Sequence, residues 1–201
     1  MDVRSAKEKT KTTYDTHSQF FIDKFANPLS LRSTTELDHF VKRLRGKSVL
    51  DAGCGSGVFA LEFQKRNLLV TAIDISEKFI SYARSKGVDA RYMDIEHITF
   101  PSESFDGVWA MSSLLHIPKK HIKAVLESFH RILRPHGVLH VTLKEGTGEK
   151  MVTDTTGDER FFSFWTIEEF TKIAQLYFKT VETAQEETGD KKFIRMTFVK
   201  L

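Results

Sequence analysis

Three alternating glycines directly follow a short apolar run, and this arrangement constrains the fold more than any other feature of the chain. The stretch from residue 49 to residue 60 reads VLDAGCGSGVFA, and its glycines are Gly53, Gly55 and Gly57. An apolar run that ends in closely spaced glycines and continues as a helical pattern indicates a strand that turns into a helix. Because glycines carry no side chains, a ligand can approach the main-chain N–H groups and the helix N-terminus there.

The rest of the chain repeats the alternation of strand and helix. Short apolar runs alternate with segments of helical periodicity, which is typical of βαβ units that stack into a parallel sheet, so the sequence predicts an α/β fold. The last two apolar runs are joined by a turn around Gly189 and Asp190, and this short connection predicts an antiparallel hairpin. Two helical segments, residues 6–25 and 34–44, precede the first strand.

Length and composition predict one domain without a membrane segment. The 201 residues suit a single domain over residues 1–201, with an N-terminal helical cap over 1–46 and a lid or insertion loop over 146–165. Lys+Arg 30 against Asp+Glu 27 gives a net charge of +3, which does not favour nucleic acid as a partner. Cys54 is the single cysteine, and no apolar run is long enough for a membrane span or signal peptide. We therefore expect a cytoplasmic protein, as a monomer or a weak homodimer.

Acidic residues at three predicted strand ends indicate the charge of the ligand. A dinucleotide fold would place its third glycine at position 58, where this chain has valine. Asp51 would also repel a pyrophosphate, whereas it would attract an ammonium or sulfonium group. Asp74 ends the second strand and can accept hydrogen bonds from both ribose hydroxyls, and Asp94 ends the third strand, within reach of a base amino group. Ligands of open α/β sheets bind at this edge.

These residues resemble the class I S-adenosylmethionine-dependent methyltransferase family, and in particular its small bacterial members. The resemblance runs from about residue 47 to residue 143 and rests on VLDAGCGSG, IDIS, MDI, FDGVWAMSSLLHIP and RILRPHGVLHV. It implies a Rossmann-like three-layer sandwich. The implied sheet has seven mostly parallel strands in the order 3-2-1-4-5-7-6, with strand 7 antiparallel.

The resemblance also implies the cofactor, S-adenosyl-L-methionine, and the product S-adenosyl-L-homocysteine. The glycine loop would pass under the methionine part, Asp74 would hold the ribose, and Asp94 would read the adenine. The implied cofactor residues are Asp51, Gly53, Gly55, Gly57, Asp74, Ile75, Asp94, Ile95 and Met111. No pair of histidines has convincing metal-ligand spacing alongside Cys or carboxylates, so no metal is expected.

Candidate residues for the acceptor lie outside the glycine loop. His116, just past the fourth strand, is the candidate general base, and a structural histidine at a helix entry is the alternative. The segment GDERFFSFW resembles an insertion that closes over the pocket in a subset of the family. Candidate substrate contacts are Tyr14, His17, Arg160, Phe162 and Trp165. Core packing of the aromatic run and a solvated face of the first helix are the competing interpretations.

Three functions stay open at the level of the sequence. The leading hypothesis is a methyltransferase that transfers the methyl group to a small molecule by in-line displacement. The second is a methyltransferase acting on RNA or protein, although the Asn/Asp-Pro-Pro-aromatic signature for nitrogen acceptors is absent and AMSSLL stands there instead. The third is a non-catalytic S-adenosylmethionine-binding protein. The identity and atom type of the acceptor are not encoded in any motif of the chain.

Overall fold

A computed structural model describes residues 3–26, 34–189 and 191–201. Residues 1–2 and 27–33 of the predicted helical cap, and Asp190 of the predicted hairpin turn, lie outside these ranges.

A seven-stranded mixed sheet forms the centre of the molecule. In the described part of the chain its order is β3-β2-β1-β4-β5-β9-β8, with β1 to β5 parallel and β9 antiparallel to both β5 and β8. Two lid strands intervene along the chain and form a separate sheet, so the predicted strands 6 and 7 carry the numbers 8 and 9. The predicted fold class is confirmed. The strands are β1 Ser48–Ala52, β2 Leu69–Asp74, β3 Asp89–Tyr92, β4 Phe105–Met111, β5 Leu133–Lys144, β6 Glu149–Thr153, β7 Glu159–Ser163, β8 Phe178–Thr188 and β9 Lys191–Lys200.

Helices cover both faces of the sheet and give it two separate cores. One core buries Phe40, Phe63 and Trp109, and the other buries Phe129 and Phe170. The predicted segment 6–25 is interrupted at His17, so that it forms two helices instead of one. The helices are α1 Val3–Thr16, α2 Ser18–Lys24, α3 Thr34–Arg43, α4 Val58–Lys65, α5 Glu77–Ser85, α6 Lys119–Ile132 and α7 Ile167–Ala174. Short 3-10 turns span Ile95–His97 and Leu114–His116.

The insertion predicted as a lid or loop is an ordered β-hairpin in the structure. Strands β6 and β7 pair antiparallel from Glu149 opposite Ser163 to Thr153 opposite Glu159. Asp154 closes the turn, since its carboxylate accepts the N–H of Thr156 at 2.7 Å and its carbonyl accepts the N–H of Gly157 at 3.1 Å. Asp154 thus supplies acceptors for two N–H groups of the turn that have no partner on a neighbouring strand. No pattern in the sequence indicated these two strands, and a role of the segment as a lid stays a prediction.

Helix α1 lies between this hairpin and the carboxyl edge of the sheet. The hydroxyl of Thr13 donates to the carbonyl of Glu159 at 2.9 Å, and the N–H of Phe161 donates to the hydroxyl of Thr10 at 2.9 Å. These bonds pair β7 with the helix, which places the hairpin over the strand ends where the predicted ligand site lies. Within the ranges that the structure describes, no helix is long and apolar enough to cross a membrane.

Candidate cofactor and acceptor site

The glycine loop connects the end of β1 to α4 and is open on one side. Both Gly53 and Cys54 donate their N–H groups to the carbonyl of Ile73, at 2.8 and 2.9 Å, which fixes the loop on β2. Gly53 has φ +79, and a Cβ there would lie 2.3 Å from the Cβ of Ser113. Only glycine fits that close approach. At Gly55 a Cβ would have no neighbour within 4 Å, so the loop faces open space there.

Asp51 lies buried beneath the loop with one carboxylate oxygen unused. The side chain is 1% exposed, and its Oδ2 has no hydrogen-bond partner in the described part of the protein. Burial, and then the charge of Asp74, raise the pKa of Asp51 to about 8. A buried acceptor without a partner is costly. A cationic group placed on this oxygen would satisfy it and restore its charge, so the position fits an ammonium or a sulfonium.

Asp74 supports the loop and still has acceptor capacity. Its two oxygens accept one backbone N–H each, from Gly55 at 2.9 Å and from Ser76 at 2.8 Å. Burial raises the pKa of Asp74, and the bonds from Ser76, Gly55 and Ile75 oppose that rise. Because a carboxylate offers about four lone-pair sites, Asp74 still has acceptor capacity for a hydroxyl of a diol such as a ribose.

Asp94 begins the 3-10 turn that includes Ile95 and is already paired with helix α1. It accepts the N–H of Glu96 at 3.0 Å and the ammonium of Lys7 at 2.6 Å. Burial alone would raise the pKa of Asp94, but the bonds from Lys7 and Glu96 outweigh it and hold that pKa below its usual value. Lys7 also pairs with the carboxylate of Glu96. A base amino group would therefore share Asp94 with Lys7.

Met111 ends β4, and the backbone turns sharply after it. Ser112 has φ +54, a left-handed conformation that is uncommon for a residue with a side chain, and its N–H donates to Thr142 at 3.1 Å. The turn brings Ser113 against the glycine loop, and the hydroxyl of Ser113 is buried with no hydrogen-bond partner among the described residues. The backbone at Met111 and the glycine loop thus border the same space.

Both ring nitrogens of His116, the candidate general base, have hydrogen-bond partners in the structure, and its role as a base stays a prediction. Its Nδ1 lies 2.6 Å from the carbonyl oxygen of Phe161, and its Nε2 lies 2.8 Å from the hydroxyl of Tyr14. A carbonyl can only accept, so Nδ1 carries the hydrogen and Nε2 accepts the hydroxyl hydrogen of Tyr14. Burial, and then the charge of Arg160, lower the pKa of His116 to about 3. The ring is neutral, and both of its nitrogens are bonded.

Arg160 and His17 also join α1 to the hairpin. The NH1 of Arg160 donates to the hydroxyl of Tyr14 at 2.6 Å, and its Nε forms an ion pair with Asp154 at 2.9 Å. His17 contacts Asp158 at 2.8 Å on the exposed side. The predicted role of Arg160, to hold a carboxylate or phosphate of the acceptor, does not fit this engagement, because its charge is already balanced by Asp154. Tyr14 lies at the centre of this cluster, bonded to both His116 and Arg160, and its role as a substrate contact stays a prediction.

The two predicted aromatic contacts, Phe162 and Trp165, are both buried in the same hydrophobic core. The ring of Phe162 lies 4.8 Å from the ring of His116, and the ammonium of Lys144 lies 3.8 Å from the centre of the Phe162 ring. Trp165 is fully buried, donates its indole N–H to Ser163 at 3.1 Å and packs edge-on against Phe170. Its role as an acceptor contact stays a prediction, since the fully buried ring has no exposed face in the structure.

Several residues of the site were missed at the level of the sequence. Lys7 and Tyr14 lie two helical turns apart on one face of α1, and this spacing is a signal that could have linked them. Asp15 accepts the hydroxyl hydrogen of Ser76 at 2.6 Å, which ties the same helix to the segment after β2. Lys144 ends β5 at the same edge as the predicted cofactor residues. In the part of the chain that the structure describes, no group of three His, Cys, Asp or Glu side chains could hold a metal ion.

Fold and site together define the class of this protein. A doubly wound sheet in this order, with a glycine loop after β1 and acids at the ends of β1, β2 and just past β3, is the architecture of a nucleoside-binding α/β domain. A family model described as "Methyltransferase domain" matches residues 49–137. The matched segment is under half of the chain and contains the glycine loop and all three acids, so the chain is similar to methyltransferase domains over these residues.

Curated relatives match part of the chain. It is 37% identical over 117 residues to the 27-O-demethylrifamycin SV methyltransferase of Amycolatopsis mediterranei, covering 54% of this chain and 42% of that protein. It is 37% identical over 109 residues to the malonyl-[acyl-carrier protein] O-methyltransferase of Yersinia pestis, covering 53% of this chain and 40% of that protein. The matched segment thus spans less than half the length of these two relatives.

A solved structure matches the whole fold. The 1,6-didemethyltoxoflavin-N1-methyltransferase of Burkholderia thailandensis, whose structure holds 1,6-didemethyltoxoflavin and S-adenosylhomocysteine, superposes with a TM-score of 0.77. The superposition covers 100% of this chain and 91% of that chain at 19% identity. At this identity the likeness establishes the fold and not the reaction.

Proposed function

We propose that the protein is an S-adenosylmethionine-dependent methyltransferase that transfers a methyl group to a small-molecule acceptor and leaves S-adenosylhomocysteine. The observation that carries this proposal is the buried carboxylate of Asp51, which has an unused oxygen beneath an open glycine loop. Asp74 and Asp94 follow at the next two strand ends. A cationic amino acid joined to a nucleoside matches these three acids in order.

Each part of the cofactor has residues of this chain to hold it. Asp51 and the backbone around Gly53, Gly55, Gly57 and Met111 would hold the methionine part, with the ammonium near Asp51. Asp74, supported by the backbone at Ile75 and Ser76, would take the ribose hydroxyls, and Asp94 with Ile95 would take the adenine. When bound, the cofactor supplies a methyl group on a positively charged sulfur.

The contribution of the protein to such a reaction is alignment and the exclusion of water. An in-line displacement needs the acceptor atom about 3 Å from the methyl carbon and on the far side of it from the sulfur. Helix α1 and the β6–β7 hairpin close over the strand ends through Tyr14, His116 and Arg160. Their bonds hold α1 and the hairpin together as one wall beside the site, and such a cover would exclude water from the transferring methyl group. The Tyr14 and Phe162 rings form the apolar part of that wall.

A small acceptor is favoured over a macromolecule by this cover. The hairpin and α1 cover the strand ends, and the curated relative from Yersinia pestis is named as an O-methyltransferase. An oxygen acceptor is therefore the first choice. RNA or protein as the acceptor, with a partner subunit, is the alternative, and a non-catalytic binding protein is the second alternative. The cytoplasmic location and the monomer or weak homodimer stay predictions.

Calorimetric titration tests the proposal through its cofactor. S-adenosylhomocysteine and NAD are each titrated into the wild type, into Asp74→Ala and into Asp89→Ala, a control acid that is exposed at the start of β3. We expect S-adenosylhomocysteine alone to bind, and Asp74→Ala to weaken it by about 1 to 3 kcal/mol through lost charge-assisted hydrogen bonds. Asp89→Ala should bind like the wild type. Binding of NAD instead, or equal binding by both variants, would contradict the proposal.

A further inference from the structure

We propose that helix α1 is a gate on the cofactor site and that Lys7 latches it, since the ammonium of Lys7 occupies Asp94, the carboxylate assigned to the base of the cofactor. The base takes Asp94 as the gate opens, and Lys7 keeps Glu96 as its remaining partner. This inference rests on the proposed function and specifies how the cofactor reaches its site.

Helix α1 lies in direct contact with the two segments that would hold the nucleoside. The ammonium of Lys7 lies 2.6 Å from Oδ2 of Asp94. About two helical turns further along α1, Asp15 accepts the hydroxyl hydrogen of Ser76 at 2.6 Å, and the N–H of Ser76 donates to Asp74 at 2.8 Å. These hydrogen-bond distances leave no space for a base between α1 and either segment, so α1 has to move when the nucleoside enters.

Few apolar side chains hold α1 in place. Among the side chains of α1 that the structure describes, Ala6 is the one apolar side chain that is buried, and the buried Thr10 and Thr13 are polar. The half-buried ring of Tyr14 packs on Phe79 with 5.5 Å between the ring centres. Because burial of apolar surface is the main contribution that holds a helix on its domain, a helix that buries so little of it detaches at a low cost in free energy.

The hairpin side of α1 is the side on which the helix stays attached. The hydroxyl of Thr13 donates to the carbonyl of Glu159 at 2.9 Å, and the hydroxyl of Thr10 accepts the N–H of Phe161 at 2.9 Å. The two threonines are three residues apart, so they lie on one face of α1. These bonds hold α1 on β7 while Lys7 is released, so the line of bonds to β7 is the axis about which the gate opens.

Lys7 and the base are alternative partners of Asp94. Oδ1 of Asp94 already accepts the N–H of Glu96 at 3.0 Å, and Oδ2 accepts from Lys7. A charged donor makes a stronger hydrogen bond than the neutral amino group of a base, so Lys7 holds Oδ2 until the other contacts of the cofactor offset the loss. Lys7 also contacts the carboxylate of Glu96, which lies 2.5 Å from Nδ1 of His121. Glu96 thus gives the ammonium a second carboxylate when the base takes Asp94.

Opposite effects of two substitutions test the latch. Calorimetric titration measures the binding of S-adenosylhomocysteine to the full chain and to each variant. Lys7→Gln removes the latch, so we expect it to bind S-adenosylhomocysteine about threefold more tightly than the wild type, or better. Glu96→Gln removes the second partner of Lys7 and should weaken binding by about threefold. In the Lys7→Gln background, Glu96→Gln should change the affinity by less than about twofold, because Glu96 acts through Lys7.

Lys9→Gln is the matched control on the same helix. Lys9 pairs with Glu159 of the hairpin at 3.4 Å and its side chain is 58% exposed, so its removal leaves the contacts of α1 with the strand ends intact. Hydrogen exchange of α1 in the ligand-free protein is the second measurement. Lys7→Gln should speed this exchange by about threefold, and Lys9→Gln should not. A residue that only stabilised the fold would speed the exchange without tightening the binding of S-adenosylhomocysteine.

The outcomes separate the latch from the proposed function. If the wild type and the variants bind no S-adenosylhomocysteine, the proposed function fails and the inference fails with it. If the wild type binds it, unchanged or weaker binding by Lys7→Gln overturns the latch alone, because Lys7 would then be neutral or would support the bound cofactor. Equal effects of Lys7→Gln and Lys9→Gln also overturn it, since they would come from the charge of α1.

Two further results would overturn parts of the inference. Unchanged exchange of α1 in Lys7→Gln would contradict the gate, because the helix would then not depend on its contact with Asp94. An equal effect of Glu96→Gln in the wild type and in the Lys7→Gln background would contradict the role of Glu96 as the second partner. Tighter binding together with faster exchange in Lys7→Gln supports both the gate and the latch.

Discussion

Because Asp51 is buried without a partner for one oxygen among the described residues, we expect it to lower the unfolding free energy of the protein until a cationic group binds there. The change that tests this is Asp51→Asn, which keeps the shape of the side chain and removes its ionisation. As the pH rises from about 4, the unfolded chain loses the Asp51 proton first, because its ordinary pKa is 3.8 whereas the folded pKa is about 8. The folded state binds more protons over this interval, so its stability falls with rising pH between about 4 and 8 and is constant above.

The magnitude follows from the shift. One pKa unit corresponds to about 1.4 kcal/mol, so at pH 7 the penalty from Asp51 is about 4 kcal/mol, an upper value for a fully buried acid. The amide of Asn escapes this penalty but leaves a buried polar group without a partner, which costs about 1 to 3 kcal/mol. We therefore expect Asp51→Asn to stabilise the cofactor-free protein by about 1 to 3 kcal/mol at pH 7. At about pH 5 the ionisation penalty of Asp51 in the wild type and the cost of the unpaired amide in the variant are roughly equal, so the two proteins should have similar stability.

The assay is urea unfolding of the wild type and Asp51→Asn at several pH values from about 5 to about 8, with and without S-adenosylhomocysteine. We expect the difference in unfolding free energy to grow with pH in the absence of ligand. Saturating S-adenosylhomocysteine should stabilise the wild type far more than the variant, since the variant lacks the partner for the ammonium. A difference that does not change with pH, or equal stabilisation of both proteins by the ligand, would refute the reasoning about Asp51.

Three further predictions concern the loop and the wall. Gly53→Ala should lower the unfolding free energy by about 3 kcal/mol, because the residue is left-handed and its new Cβ would lie 2.3 Å from the Cβ of Ser113. Gly87→Ala is the control, since Gly87 is left-handed but has no neighbour within 4 Å, and it should cost about 1 kcal/mol in the same urea titration. Tyr14→Phe leaves Nε2 of His116 without its donor, so hydrogen exchange of α1 should become faster by roughly tenfold or more; unchanged exchange would contradict the assigned bond. Burial, and then the charges of Asp74 and Asp51, raise the pKa of the Cys54 thiol well above its usual value. Because the thiolate is the reactive form, iodoacetamide should label Cys54 only after the protein is unfolded, and mass spectrometry measures this labelling.

The sheet and the cofactor edge could be predicted because their signals are local. The apolar run before Gly53, and the acids that end or follow the next two strands, depend on strand periodicity and on the rule that parallel strands end at one edge. Asp51, Asp74 and Asp94 accordingly occupy that edge in the structure. The terminal hairpin was equally predictable, because a turn of two residues allows only an antiparallel connection.

The wall of the site could not be predicted because it is made by long-range contacts. Tyr14 reaches His116 across 102 positions of the chain, and Lys7 reaches Asp94 across 87. No local sequence pattern predicts a contact between residues so far apart in the chain. The β6–β7 hairpin was missed for a different reason, since charged residues dilute its strand pattern and Asp154 closes its turn through bonds that only the fold makes visible. The bonding of both His116 nitrogens likewise depends on these long-range contacts, so it could not be predicted from the sequence.

Transfer of a labelled methyl group tests the central claim most directly. The purified protein is supplied with S-adenosylmethionine that carries a labelled methyl and with a cell extract, and small metabolites are then separated from RNA and protein. The proposed function predicts label in the low-mass fraction. Label in RNA or protein would contradict the small-molecule acceptor, and no label in any fraction would contradict methyl transfer itself.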